Sequence, residues 1–383
     1  MAKRISLLVA VFTLAATSLA FASGGGRDDL AWELKPTGAD GTRLRGLSVV
    51  SEKVVWTSGG PGSDTGSSAV LRTTNGGRTW ESVAPPGTTA LEFRDIEAFD
   101  RRNAVVLAAG SGTDARVYVT SDGGRTWHLG FQNTDPDPAV FYDCMTFFDR
   151  RHGLALSDPV GGRFRIIETR DGGRSWSVVN ADMPPAIPGE FAFAASGQCL
   201  VSSGDILGRS RGDDDDDDDG DGRKARLAWF ATGGVPPFAR VFRSHDGGKS
   251  WRVAVTPVAS TAAGGIFALA FRDAKNGIAV GGDFLAPNNS PNSLALTRDG
   301  GRAWTLVDAE DAINEYRSSV HWRDNRSAIA VGPTGSDATF DRGRTWHGFD
   351  EGTFDTVECI DDDTCWASGA TGRAARLVTD EDD

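Results

Sequence analysis

The sequence predicts an all-β fold built from repeated hairpins and closed into a ring. Three observations predict it. The octapeptide Thr120-Ser121-Asp122-Gly123-Gly124-Arg125-Thr126-Trp127 recurs as TTNGGRTW (73–80), TRDGGRSW (169–176), SHDGGKSW (244–251), TRDGGRAW (297–304) and TFDRGRTW (339–346). Successive tryptophans lie 47, 49, 75, 53 and 42 residues apart, a spacing that marks a repeat architecture. Each copy sits between strand-like runs, such as Ala115–Val119 before and Trp127–Leu129 after, so it reads as a hairpin turn. Finally, the two ends of the chain carry complementary halves of one repeat.

The turn chemistry explains the composition of the box. An aspartate in its third position caps the turn by accepting backbone N–H groups. The two glycines supply positive φ at low steric cost. The Ser or Thr hydroxyl bonds the same carboxylate, and the tryptophan buries its ring between neighbouring sheets. The box residues are Asn75, Asp122, Asp171, Asp246, Asp299 and Asp341, with Trp80, Trp127, Trp176, Trp251, Trp304 and Trp346. A structural role is the expectation for them; a calcium or ligand role for the aspartates is the other reading.

These boxes resemble the Asp-box (BNR) repeats of sialidase-like β-propellers. The wider unit, a "GLAL" or "GIAV" strand followed by a "DGGRTW" hairpin, resembles the photosystem II stability and assembly factor family and its secreted bacterial relatives. The resemblance covers nearly the whole chain after its first residues. It implies a propeller, and it says little about activity because unrelated functions share the fold.

In chain order, Lys3 and Arg4, the apolar run Ile5–Ala16 and Ala20-Phe21-Ala22 read as a signal peptide over 1–22. The remaining 23–380 reads as one propeller domain, exported to the periplasm or outside the cell and monomeric, with no membrane insertion. Residues 29–36 (DLAWELKP) match the segment that follows each box but have no box in front. Phe354–Leu377 supplies inner strands but no box, so the N-terminal strand is expected to close the ring against the last repeat. Inner strands are expected to start at Leu44, Phe93, Tyr142, Phe191, Ile266, Tyr316 and Phe354, which gives seven blades of four antiparallel strands. The long fourth interval leaves eight blades open, although it holds no second box.

That interval contains Asp213–Asp219, Gly220 and Asp221, read as an acidic disordered insertion over 204–226. If it joins the second and third strands of blade four, it leaves on the face opposite the boxes. The D-x-D-x-D-G spacing from Asp215 resembles a calcium loop, but Arg226 stands where that loop needs a glutamate. The chain carries −13 in all, and −15 once Lys3 and Arg4 are removed. This balance argues against nucleic-acid binding. Of the four cysteines, Cys359 and Cys365 bracket a turn, and Cys144 and Cys199 lie on inner strands of adjacent repeats; both pairs are possible disulfides.

Function is expected at the channel mouth, on the face opposite the boxes. The residue after the first large side chain of each inner strand reads Arg45, Arg94, Asp143, Ala192, Phe267, Arg317 and Asp355 around the ring. Asp95, Glu97, Asp158, Glu190, Arg240 and Asp283 lie nearby. Three arginines suit bidentate capture of a carboxylate; they equally suit a structural ring of ion pairs with Asp143 and Asp355. The leading expectation is a non-catalytic binding or assembly scaffold with a protein partner, a glycan or a small carboxylate as ligand. The other is a sialidase-like or other glycoside hydrolase, with Arg45, Arg94 and Arg317 as a triad and carboxylate candidates among Asp95, Glu97, Asp143, Asp158 and Asp283. No metal, haem, flavin or nicotinamide signature is present, so no cofactor is expected.

Overall fold

The computed structural model describes residues 30–62, 66–206 and 225–379. Among them are seven four-stranded antiparallel sheets and no α-helix. The predicted leader and residues 207–224 of the predicted insertion lie outside the described residues. No helix among the described residues is long and apolar enough to cross a membrane.

Within each blade, burial falls from the centre outward. The second strand of blade two, Ala104–Ala109 (AVVLAA), is buried throughout, because neighbouring blades cover both its faces. The outer strand of blade one, Glu81–Ser82, is exposed. The box tryptophans seal the seams between blades. Trp127 of blade two packs with Trp56 and Val70 of blade one and donates to the Val83 carbonyl at 2.7 Å. Trp251 of blade four joins Leu154 and Phe164 of blade three.

The ring closes as the half-repeats require. Ala31–Leu34 forms the outer strand of the last blade, pairing with Ala374–Val378 in the register Ala31↔Val378 to Leu34↔Ala375. Trp32 is buried there against Phe349 and Phe354 and donates to Ser336 Oγ at 3.0 Å. Both cysteine pairs are bonded, Cys144 to Cys199 between blades three and four and Cys359 to Cys365 across a hairpin of blade seven.

The box turns behave as their chemistry requires. Asp122 Oδ1 accepts from the Thr126 amide at 2.9 Å and from Thr120 Oγ1 at 3.0 Å, while Oδ2 accepts from Thr126 Oγ1 at 2.6 Å. These bonds pull the Asp122 carboxyl down to about 2. Gly123 and Gly124 have φ of 83° and 82°. In the sixth copy Arg342 takes the first glycine's place and still adopts φ 72°.

Blade four departs from two expectations. Its inner strand is Leu200–Ser202, not a strand starting at Phe191. Residues 191–199 instead enter the channel, because Ala194-Ala195-Ser196-Gly197 has small side chains and weak strand preference. The insertion therefore joins the first and second strands of the blade, Leu200–Ser202 and Ala228–Ala231. Such connections lie on the same face as the boxes, not at the channel mouth. Arg226 confirms the placement: its carbonyl accepts from Gly247 of a box at 3.0 Å.

Candidate functional site

The mouth lies at the start of the inner strands, on the face opposite the boxes. Three inner strands carry the mouth residues on bulges at matching positions. The pairing register shifts between Leu44 and Gly46, between Phe93 and Asp95, and between Tyr142 and Cys144. The extra residues are Arg45, Arg94 and Asp143, and a bulge re-aims its side chain away from the regular alternation. A fourth such shift falls at Phe267.

These bulges build a charged arc. Glu92 is shared by Arg94 at 3.1 Å and Arg45 at 3.3 Å. Arg94 reaches on to Asp143 Oδ1 at 3.0 Å and lies over the Phe141 ring. Arg43, two residues before Arg45, binds Asp355 through two hydrogen bonds of 2.6 and 2.8 Å. Burial, then repulsion from Arg94 and Arg43, lowers the Arg45 pKa. An anion placed there would relieve that repulsion. Glu92 is held low although burial opposes it, because Arg94 and Arg45 outweigh the desolvation.

Beside the arc sits a pair of carboxyls. Burial first, and the Asp158 charge second, hold Asp143 well above the usual carboxylate range despite Arg94. Its Oδ2 is buried without a hydrogen-bond partner. Burial also pushes Asp158 up to about 6, although its Oδ1 accepts from the Ala192 amide at 2.9 Å. Burial thus raises both carboxyls, and the Asp158 charge adds to the rise of Asp143.

A different part of the mouth is aromatic. Phe193 stacks on Phe267 at 4.9 Å, and Phe284 and Tyr316 meet Phe267 edge-on at 6.3 and 4.8 Å. Phe284 and Phe191 are 48% and 45% exposed, so this cluster continues into solvent. Tyr316 links the two regions, since the charges of Asp355, Arg43 and Arg45 all act on its buried hydroxyl.

Beneath the mouth the channel is blocked. Gln198 Oε1 accepts from Ser319 Oγ at 2.7 Å and from the Val320 amide at 3.0 Å, and Nε2 donates to the Val357 carbonyl at 2.9 Å. The inner edges of the first strands are unpaired β edges, and side chains of neighbouring blades satisfy them. Asp95 accepts from the Met145 amide at 2.7 Å, Glu358 from Val49 at 2.9 Å, and Ser48 from Ala98 at 2.9 Å. A space of about 50 Å³ remains among Asp95, Glu97, Asp205, His321 and Glu358.

The predicted site residues therefore separate. Arg45, Arg94 and Asp143 come together with Asp158 at the mouth. Asp95 and Glu97 lie lower, in the channel lining. Asp283 clasps a rim loop, accepting from Thr261 Oγ1 at 2.7 Å and the Leu285 amide at 2.9 Å. Arg317 turns into its own blade, with Asp337 at 2.6 Å and Glu315 at 3.2 Å, rather than joining Arg45 and Arg94. Glu190 and Arg240 form a buried pair that also holds Thr232. Sequence reasoning missed Arg43, Glu92 and the aromatic cluster. Arg43 stands two residues before Arg45 on the same strand, a spacing the sequence shows, but the bulge at Arg45 breaks the regular alternation between them.

The fold and mouth together define a seven-bladed propeller with a plugged channel and one charged, partly aromatic opening. No protein-family model matches the chain, and no curated protein does. Among solved structures, YCF48 from Cyanidioschyzon merolae is similar at 16% identity, with a TM-score of 0.60, over 92% of this chain and 100% of that one. A YCF48 bound to D1 peptide is similar at 14% identity and a TM-score of 0.60, over 91% and 95%. The GH74 enzyme of Niastella koreensis aligns at 12% identity and a TM-score of 0.54, over 85% of this chain and 51% of that one. These likenesses establish the fold.

Proposed function

We infer that this protein is an exported, non-catalytic binding or assembly scaffold that takes an anionic group of a protein partner at its channel mouth. The observation that carries the reading is the gathering of Arg43, Arg45 and Arg94 at the arc, where Arg45 has only a shared Glu92 as its ion-pair partner and is repelled by the other two guanidiniums. The aromatic cluster beside it offers apolar contact to the same ligand. The likeness to a YCF48 that binds a peptide supports a peptide partner. The Asp-box resemblance, the leader and the two disulfides support export.

The test is titration calorimetry with short peptides ending in an apolar residue and a free carboxylate, against the same peptides amidated. Arg45→Gln removes one cation and leaves the Arg94–Asp143 pair intact. Binding of the free acids, weakened about tenfold or more in Arg45→Gln, is the expected result, since a hydrogen bond to a charged group contributes roughly 1.5–3 kcal/mol. Equal binding of acid and amide, or no effect of the substitution, overturns it.

A second reading rests on Asp143 and Asp158, two carboxyls at the mouth that burial holds above the usual range, the kind of group a general acid needs. It makes the protein a glycoside hydrolase. Turnover of an aryl glycoside lost in Asp143→Asn and Asp158→Asn would establish it.

A further inference from the structure

The hairpin face, opposite the mouth, carries a second surface that the proposed function does not use. In each blade that carries a box, the turn between first and second strands is hydrogen-bonded to that box. The Gly123 amide donates to the Arg102 carbonyl at 2.8 Å, and Gly172 to Arg151 at 3.0 Å. Neighbouring blades are tied as well: Arg72 donates to the Arg101 carbonyl at 2.9 Å, and Arg150 binds Asp100 at 2.9 Å. The turns of blades one to three therefore form one continuous surface.

Segments 73–80, 99–103, 120–127, 148–152 and 169–176 contain eight arginines against four aspartates, a net +4 on a chain of −13. The aspartates are all engaged. Asp122 and Asp171 close their boxes, Asp100 holds Arg150 and the Asn103 amide, and Asp149 holds His152. In blade one the box uses Asn75, whose Oδ1 accepts from the Thr79 amide at 3.0 Å. The turn is kept and one negative charge is absent. By contrast Arg78, Arg101, Arg102, Arg125, Arg151 and Arg174 are exposed and have no ion-pair partner among the described residues. Between blades two and three the surface folds into a cleft of about 350 Å³ lined by Arg150, Arg151 and Arg174.

We propose that this face is a docking surface for a short carboxylate-rich polypeptide segment. Guanidinium forks match carboxylates in bidentate fashion. The overall charge favours a short ligand, because a long polyanion extends beyond the Debye length of the patch into the repulsion of an acidic protein. The surface also lacks exposed aromatic faces on which bases stack, since Phe99 is buried and Trp127 and Trp176 are half-buried at the seams.

The test uses a fluorescein-labelled hepta-aspartate peptide and anisotropy at about 20 and about 150 mM salt. It is run on the full chain and on the chain lacking 213–221, which removes eight aspartates of the same chemistry as the peptide. Binding is expected, weaker at the higher salt, and about tenfold weaker in Arg101→Gln/Arg102→Gln/Arg151→Gln, three exposed positions outside any core. Arg45→Gln at the mouth is expected to leave it unchanged, which separates this surface from the proposed function. No binding in either chain, equal binding by the triple variant, loss in Arg45→Gln, or tighter binding of a duplex DNA fragment than of the peptide each overturns the proposal.

Discussion

Replacing Asp158 with asparagine should stabilise the protein at neutral pH and not in acid. The carboxyl titrates near 6 in the folded chain against an ordinary 3.8, because burial disfavours its charge. Its folded pKa is raised, so the folded state holds the proton over a wider range than the unfolded chain. The associated stability is full below 3.8 and is lost as pH rises through 6. At about pH 7.5 the ionised form costs up to about 3 kcal/mol; partial exposure of Asp158 reduces this to about 2 kcal/mol. Asparagine keeps an oxygen for the Ala192 amide, which now bonds Oδ1 at 2.9 Å, and removes the repulsion from Asp143.

The assay is guanidinium denaturation followed by tryptophan fluorescence at about pH 7.5 and about pH 3.5, wild type against Asp158→Asn. The variant should gain about 2 kcal/mol at the higher pH, and the two curves should converge at the lower. A variant less stable at pH 7.5, or a difference that does not change with pH, would refute the buried-pair account. Asp143→Asn serves as the contrast. It relieves the same repulsion but weakens the charge-assisted bond to Arg94, so its gain should be smaller.

Three further outcomes are expected. Replacing Cys144 and Cys199 with serine removes a crosslink spanning 55 residues and should lower stability by about 4 kcal/mol, against about 2 kcal/mol for the six-residue Cys359–Cys365 loop, read from denaturation midpoints. Glu190→Ala strands a buried Arg240 and should lower stability by about 3–5 kcal/mol, whereas Glu190→Gln should lose less. Arg342→Gly relieves a non-glycine residue at φ 72° and should raise stability by about 1 kcal/mol, seen as a higher melting temperature.

Most of the ring was legible because the box turn is a local device. Its glycines, carboxylate and hydroxyl act within eight residues, so the sequence alone specifies the hairpin, and the half-repeats at the ends specify the closure through Trp32. Blade four was not legible in the same way. Phe191-Ala192-Phe193 has a strand's composition, yet the segment's partners are remote: Gln198 bonds blades six and seven, and a Cβ on Gly197 would stand 2.1 Å from Asp95 Oδ1. Such contacts depend on the ring already being closed. The mouth was half legible for a related reason. The matching positions of Arg45, Arg94 and Asp143 reflect a repeated bulge, which leaves a trace in the repeat. Arg317 occupies the same aligned position, but Asp337 of its own blade captures it, and nothing local records that.

The two faces differ in how their arginines are spent, and that difference argues for two separate tasks. At the mouth, Arg43 and Arg94 are each held by one or more carboxylates, and Arg45 shares Glu92. A ligand there must compete with existing pairs, so recognition depends on geometry and on the protonation of Asp143 and Asp158. On the hairpin face the arginines stand on exposed turns with their local aspartates already engaged, Asp122 and Asp171 in the boxes and Asp100 and Asp149 in the turns beside them. A ligand there displaces only water and salt, so binding should be weaker, fast and strongly screened. The box motif thus has an electrostatic consequence beyond its turn. By locking its carboxylate into the hairpin, it leaves the adjacent arginine, or Lys249 in blade four, as a surface cation.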